Sequence, residues 1–179
     1  MRVNIWDGEQ LDPHMEHGKL DAASPQGPTS GAAPALSEGI EAIAPRLVPL
    51  CQVDLKLSPS QVVGSGPSGH RIVVGIESMD IHGERLTAKL AGPTAADWLT
   101  MSGTTAVIDV RATVVTHDGA LIYISYRGRS DTTNGFGTAP VFVAVNFETG
   151  DERYRWLNSV QAVGRGELAK LRYDWYELA

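Results

Sequence analysis

The feature that most limits this chain is a series of short segments, from Arg46 onward, in which apolar and polar residues alternate with a period of two. RLVPLCQVDLKL puts Cys51, Val53, Leu55 and Leu57 on one face and Gln52, Asp54 and Lys56 on the other. RIVVGIES, ERLTAKLAG, TAVIDVRATVV, ALIYISYRG, PVFVAVNF, RWLNSVQAVG and ELAKLRYDWYEL follow at similar spacing. All are rich in β-branched or aromatic residues, which fit a pleated surface, and a period of two is that of a half-buried strand rather than a helix. Between them lie the turn signals GSGPSG, HGE, SGT, HDG, TTNGFGT and ETGDE. Asp118-Gly119, between two such runs, is the strongest hairpin signal. About eight evenly spaced strands with almost no helix predict an all-β fold, an antiparallel β-barrel or a sandwich, and the barrel is the expected form.

The front of the chain reads differently. From Pro13 to Pro34 it is rich in proline and glycine and poor in large apolar residues. Such a stretch buries too little surface to offset its ordering entropy. Residues 1–45 are therefore expected to be a largely irregular N-terminal extension, and 46–179 the barrel domain. Within the extension, Val3, Ile5 and Trp6 are apolar enough to dock, and Ser37 is placed to cap a short helix through Glu38, Ile40, Glu41 and Ile43 that Pro45 stops.

Charge and motifs remove several functions. Among 179 residues, Lys plus Arg is 15 and Asp plus Glu 21, a net charge of -6. That is a poor match for a phosphate backbone, so no nucleic-acid partner is expected. No apolar run approaches the roughly 18 residues of a membrane span. The first residues carry Asp7, Glu9, Asp12 and Glu16 and no apolar block, unlike a secretory leader, so a cytoplasmic protein is expected. The single cysteine, Cys51, allows no intrachain disulfide. GSGPSG lacks the Lys-Ser/Thr ending of a phosphate loop, no Gly-x-Ser-x-Gly elbow leads into a helix, and the five histidines have no metal-site spacing. No metal and no cofactor are expected.

The densest polar cluster within apolar strands lies between Ala91 and Gly128. Asp109 and Arg111 share a strand face at i, i+2, roughly 7 Å apart and within an arginine's reach. They are either a structural ion pair that sets register or a pair holding a ligand oxygen in a pocket. Asp97 precedes Trp98 just after a Gly-Pro turn. It is either a turn cap or a carboxyl set against apolar surface, whose raised pKa would suit acid–base work. Asp97, Asp109 and Arg111 are thus the candidate catalytic residues. Tyr154, Trp156 and Asn158 alternate in ERYRWLNSVQ, either as core and backbone partners or as pocket walls. With Trp98, Tyr123 and Tyr126, Trp156 and Asn158 are the candidate substrate-binding residues.

The order Gly92, Asp97-Trp98, Ile108-Asp109-Val110-Arg111, His117-Asp118-Gly119-Ala120-Leu121-Ile122-Tyr123 and Gly128 resembles the DUF3237 family, also catalogued as UPF0311. Phe147-Glu148-Thr149-Gly150, Tyr154-Arg155-Trp156-Leu157-Asn158, Gly164 and Gly166 continue it, from about Leu47 to Leu178. The resemblance implies a compact antiparallel barrel with a pocket at its mouth, often paired as a homodimer. Some members are similar to enzymes of bacterial aromatic polyketide pathways that promote dehydration and ring closure, including ketal formation. The expected function is therefore a cofactor-independent lyase or cyclase acting on a flat, oxygenated, apolar small molecule such as an aromatic polyketide intermediate. The alternative is a barrel that binds a small molecule without chemistry.

Overall fold

The computed structural model describes residues 45–179; the helix expected after Ser37 and the docking expected of Val3, Ile5 and Trp6 lie outside the described residues. Nine strands form one antiparallel sheet: β1 (Leu47–Gly66), β2 (Gly69–His82), β3 (Ala88–Leu90), β4 (Ala96–Ser102), β5 (Thr105–Thr116), β6 (Leu121–Asp131), β7 (Val141–Glu148), β8 (Ala162–Glu167) and β9 (Arg172–Leu178). β1 pairs with both β2 and β9, so the sheet closes on itself. β3 and β4 share one position, each bridging β2 and β5 at a different height. The wall therefore has eight positions built from nine strands. Closure abolishes the sheet edges through which open β proteins aggregate. No helix among the described residues is long and apolar enough to cross a membrane.

Alternation is strict where the sequence reads most clearly. Ile108, Val110, Ala112 and Val114 of β5, Ile122, Ile124 and Tyr126 of β6, and Val141, Val143, Val145 and Phe147 of β7 are all buried in the lumen. The β5–β6 hairpin turns at Asp118-Gly119, with Gly119 at φ +89°, a conformation glycine adopts without steric cost. Two expected strands and one expected turn come out differently. ERLTAKLAG contributes only the three residues of β3. Arg155–Ser159 forms a 3-10 turn, so Tyr154, Trp156 and Asn158 do not share a strand face. GSGPSG is largely strand, turning only between Gly66 and Gly69.

The lumen owes its contents to one pairing of small and large residues. Tyr173 and Trp175 of β9 point inward opposite Gly166 and Gly164 of β8. A Cβ on Gly164 would overlap the Trp175 ring, and one on Gly166 the Tyr173 ring. The rings therefore lie on bare backbone and reach across to Tyr126, whose ring centroid is 5.7 Å from that of Tyr173 and 5.5 Å from that of Trp175. Phe147 completes the cluster at 6.0 Å from Trp175. Such tilted and edge-on pairs contribute about 0.5–1.5 kcal/mol each beyond the area they bury. Gly164→Ala is expected to lower unfolding stability by about 1–3 kcal/mol through overpacking. Gly150→Ala, where an added methyl meets nothing, should change it little; urea denaturation of both variants checks this.

Candidate functional site

The structure separates the predicted site residues into three places. Asp97 and Tyr126 are on the inner face. Asp97 stands opposite Val110 of β5 and Val74 of β2, and Val110 is a core residue directly opposite Tyr126. Asp109, Arg111, Trp98 and Tyr123 are on the outer face. The expectation that Asp109 and Arg111 project into a barrel pocket is corrected: their strand's inner face is taken by Ile108, Val110 and Ala112, and the period of two turns both residues outward. Arg111 and Arg127 approach the Asp109 carboxylate at 3.7 and 3.5 Å, and the Arg111 guanidinium lies 5.2 Å from the centre of the Trp98 ring. Trp156 and Asn158 belong to the third place, the barrel end covered by the Arg155–Ser159 turn.

At that end the side chains do structural work. Asn158 Oδ1 accepts from the Thr149 N–H at 2.8 Å and its Nδ2 donates to the Thr149 carbonyl at 2.9 Å, stitching the loop closed. Arg85 stacks on Trp156 at 4.4 Å and donates to Glu177 at 2.5 Å. Asp118 accepts from Thr116 Oγ1, Tyr154 Oη and Arg153 Nη1 at 2.5, 3.0 and 2.9 Å. Thr116 first, then Tyr154 and Arg153, hold its carboxyl below the usual range. Leu157, of the same turn as Asn158, is fully buried. Asn158 is thus a clamp on the backbone, the role its amide also suits by chemistry.

Asp97 sits at a break in the wall. The β4–β5 register runs from Asp97 opposite Val110 to Thr100 opposite Val107, which sets Trp98 against Asp109. At that rung side chains take the backbone groups. Asp97 Oδ1 accepts from the Asp109 N–H at 3.0 Å, and Arg71 Nη1 donates to the Trp98 carbonyl at 2.7 Å. Burial, opposed by the Asp109 N–H and reinforced by the Asp109 charge, pushes the Asp97 carboxyl up to about 6. Asp97 is half-buried, so it keeps some contact with solvent.

The groups that share the lumen with Asp97 are aromatic. Burial first, then neighbours that include Asp97, raises the phenols of Tyr126 and Tyr173, so both stay protonated as hydrogen-bond donors. Tyr126 Oη and Trp175 Nε1 are buried with no hydrogen-bond partner. Native interiors rarely leave such atoms unpaired, and each costs about 1–3 kcal/mol. Sequence reading missed Tyr173 and Trp175. Their signal was a Tyr-x-Trp alternation facing a Gly-x-Gly alternation, which fixes two rings against one strand. Burial pushes the Cys51 thiol up to about 12, so it is inert packing. Among the described residues no group of three or more His, Cys, Asp or Glu is placed to hold a metal.

Between β3 and β4 a groove of about 500 Å³ crosses the shared wall position and touches the core residues Ile76, Met79 and Ala95. Ala95 lies two residues before Asp97.

Solved structures with this fold include a β-barrel-like protein of Acinetobacter baumannii AYE, 27% identical, with a TM-score of 0.68 over 78% of this chain and 99% of that one. A protein of unknown function from Clostridium acetobutylicum ATCC 824 is 18% identical, with a TM-score of 0.66 over 76% and 100%. An enzyme from Penicillium herquei is 22% identical, with a TM-score of 0.66 over 79% and 99%. The last two likenesses are of fold alone. No curated protein matches the chain. The family profile described as "Protein of unknown function (DUF3237)" matches residues 45–178, and the chain belongs to that family.

Proposed function

We propose that the barrel binds an oxygenated, apolar small molecule against the Tyr126, Tyr173 and Trp175 rings and that Asp97 acts on it as a general acid–base. The observation that carries this reading is the pair of orphaned donors, Tyr126 Oη and Trp175 Nε1, buried in the lumen that Asp97 also faces. Two donors without acceptors fit a guest with carbonyl, phenol or ether oxygens. The aromatic rings fit a flat carbon frame, as ligand sites combine mostly apolar walls with a few polar groups.

The chemistry follows from the carboxyl. With a pKa of about 6, Asp97 is mostly ionised at neutral pH yet still basic enough to take a proton. In a dehydrative ring closure it removes a proton from the attacking hydroxyl or from a carbon beside a carbonyl. It then returns that proton to the departing hydroxyl, which leaves as water while the new C–O or C=C bond forms. Tyr126 and Trp175 donate to the carbonyl oxygen on which charge develops. The steps draw only on protons held by the protein and substrate. That the same fold carries an enzyme in Penicillium herquei supports a catalytic reading, although fold alone does not assign a reaction.

Asp97→Asn is expected to lower the turnover of aromatic polyketide intermediates by about 10²–10⁴, the usual worth of general acid–base help, while retaining binding. Product formation followed by mass spectrometry checks it. Full activity in Asp97→Asn would overturn the acid–base role, and a guest returned unchanged by the unaltered protein would leave binding alone. In the unaltered protein kcat/KM is expected to rise with pH through a midpoint near 6.

Stability provides a check that needs no substrate. The folded pKa of Asp97 lies above the unfolded value, so the folded state holds a proton that the unfolded chain has released. The contribution is present in full below about pH 4 and is lost as the pH rises through about 6. Asp97→Asn should therefore be more stable than the unaltered chain above pH 6, by on the order of 2 kcal/mol, with the difference vanishing below pH 4. Denaturation midpoints at pH 4 and pH 8 read it directly.

A further inference from the structure

The outer wall carries a feature the lumen reading does not use. Arg71 of β2, Arg111 of β5 and Arg127 of β6 converge around Trp98 and Asp109. The groove among them, about 240 Å³, is lined by Ser68, Arg71, Trp98, Thr100, Asp109 and Arg127, with Val107 in its floor. Among the described residues Asp109 is the one carboxylate lining it, and its arginine contacts, at 3.5 and 3.7 Å, are too long for hydrogen bonds. Arg71 is fixed by the Trp98 carbonyl, which leaves its other guanidinium protons free to donate. Even with Asp97 ionised behind the rung, three cations face two anions, in a chain whose net charge is -6. Positive charge is thus gathered here against the trend of the whole molecule.

The groove also continues into apolar surface. Val107 and Arg127 line both it and a neighbouring hollow of about 500 Å³, which adds Arg129, Phe142 and Ala144. Phe142 is 61% exposed, next to Arg129 across the strand pair. Exposed aromatics flanked by arginines are the composition of binding surfaces rather than of plain solvated wall.

We propose that this outer-wall groove is a second binding site, one for a small organic oxyanion: a phosphate, sulfonate or carboxylate head held by Arg71 and Arg127, with an apolar body lying over Val107 toward Phe142. Guanidinium forks match the paired oxygens of such heads, and the exposed Ser68 hydroxyl and the buried Thr100 hydroxyl that line the groove add donors. Asp109 competes for the same arginines, so it sets the affinity from within.

The test uses the full chain with phenyl phosphate and inorganic phosphate as probes, titrated by calorimetry at constant ionic strength made up with chloride. Phenyl phosphate is expected to bind more tightly than inorganic phosphate. The double variant Arg71→Gln, Arg127→Gln should weaken it by about tenfold or more, and Asp109→Asn should strengthen it, since arginine–oxyanion pairing is direct at both. Arg127 and Arg111 are exposed, so the single variant Arg127→Gln serves if the double one folds poorly. Trp175→Phe separates this site from the lumen and should leave phenyl phosphate binding unchanged. Equal binding of the two probes, binding indifferent to the arginine variants, or loss on Trp175→Phe would each overturn the proposal.

Discussion

Everything inside this barrel depends on aromatic rings lying against bare peptide. Gly164 and Gly166 let Trp175 and Tyr173 settle on the β8 backbone, and from there the rings meet Tyr126 and Phe147 in the middle of the lumen. An eight-position barrel has an interior just wide enough for packed side chains or for one small ligand. Lining it with rings rather than aliphatic chains places an indole N–H and two phenol hydroxyls where bulk water is excluded. The same exclusion acts on Asp97: burial is the largest cause of its raised pKa. The packing of β8 on β9 and the acidity of a residue on β4 are thus consequences of one dry interior.

The Trp98–Asp109 rung is where the inner and outer faces communicate. The Asp109 peptide gives its N–H to Asp97, while the Asp109 side chain faces the arginines outside. The Asp109 charge pushes the Asp97 pKa up and the Arg71 charge pulls it down. A carboxylate and a guanidinium take the backbone groups of one rung, so neither polar group is left unpaired by the missing ladder bond.

Much of this was legible in the sequence. The alternation in TAVIDVRATVV named its apolar face correctly, and that face lines the lumen. The same alternation already put Asp109 and Arg111 on the opposite face. Reading them as pocket residues gave residue chemistry precedence over strand parity, and in a closed barrel parity decides. Asp97 is singled out in the sequence by its neighbour Trp98, although the two side chains point to opposite sides of the wall. The Arg155–Ser159 turn was misread because Tyr154, Trp156 and Asn158 also alternate, and a five-residue window does not separate a strand from a tight turn. Tyr173 and Trp175 needed knowledge of which strand neighbours which. Only the β8–β9 register sets glycines against rings.

One wall position is made of two short strands instead of one long one. β3 ends at Leu90 and β4 begins at Ala96; between them the Ala91 N–H bonds to Thr113 and the Ala95 carbonyl to Ile76, with Gly92, Pro93 and Thr94 outside the ladder. Along a strand such as β6, parting the wall means breaking an uninterrupted row of peptide hydrogen bonds to both neighbours. At this seam the staves already end, so local opening breaks fewer such bonds. The seam lies beside Asp97, so the place where the staves already part adjoins the carboxyl that burial makes the more basic.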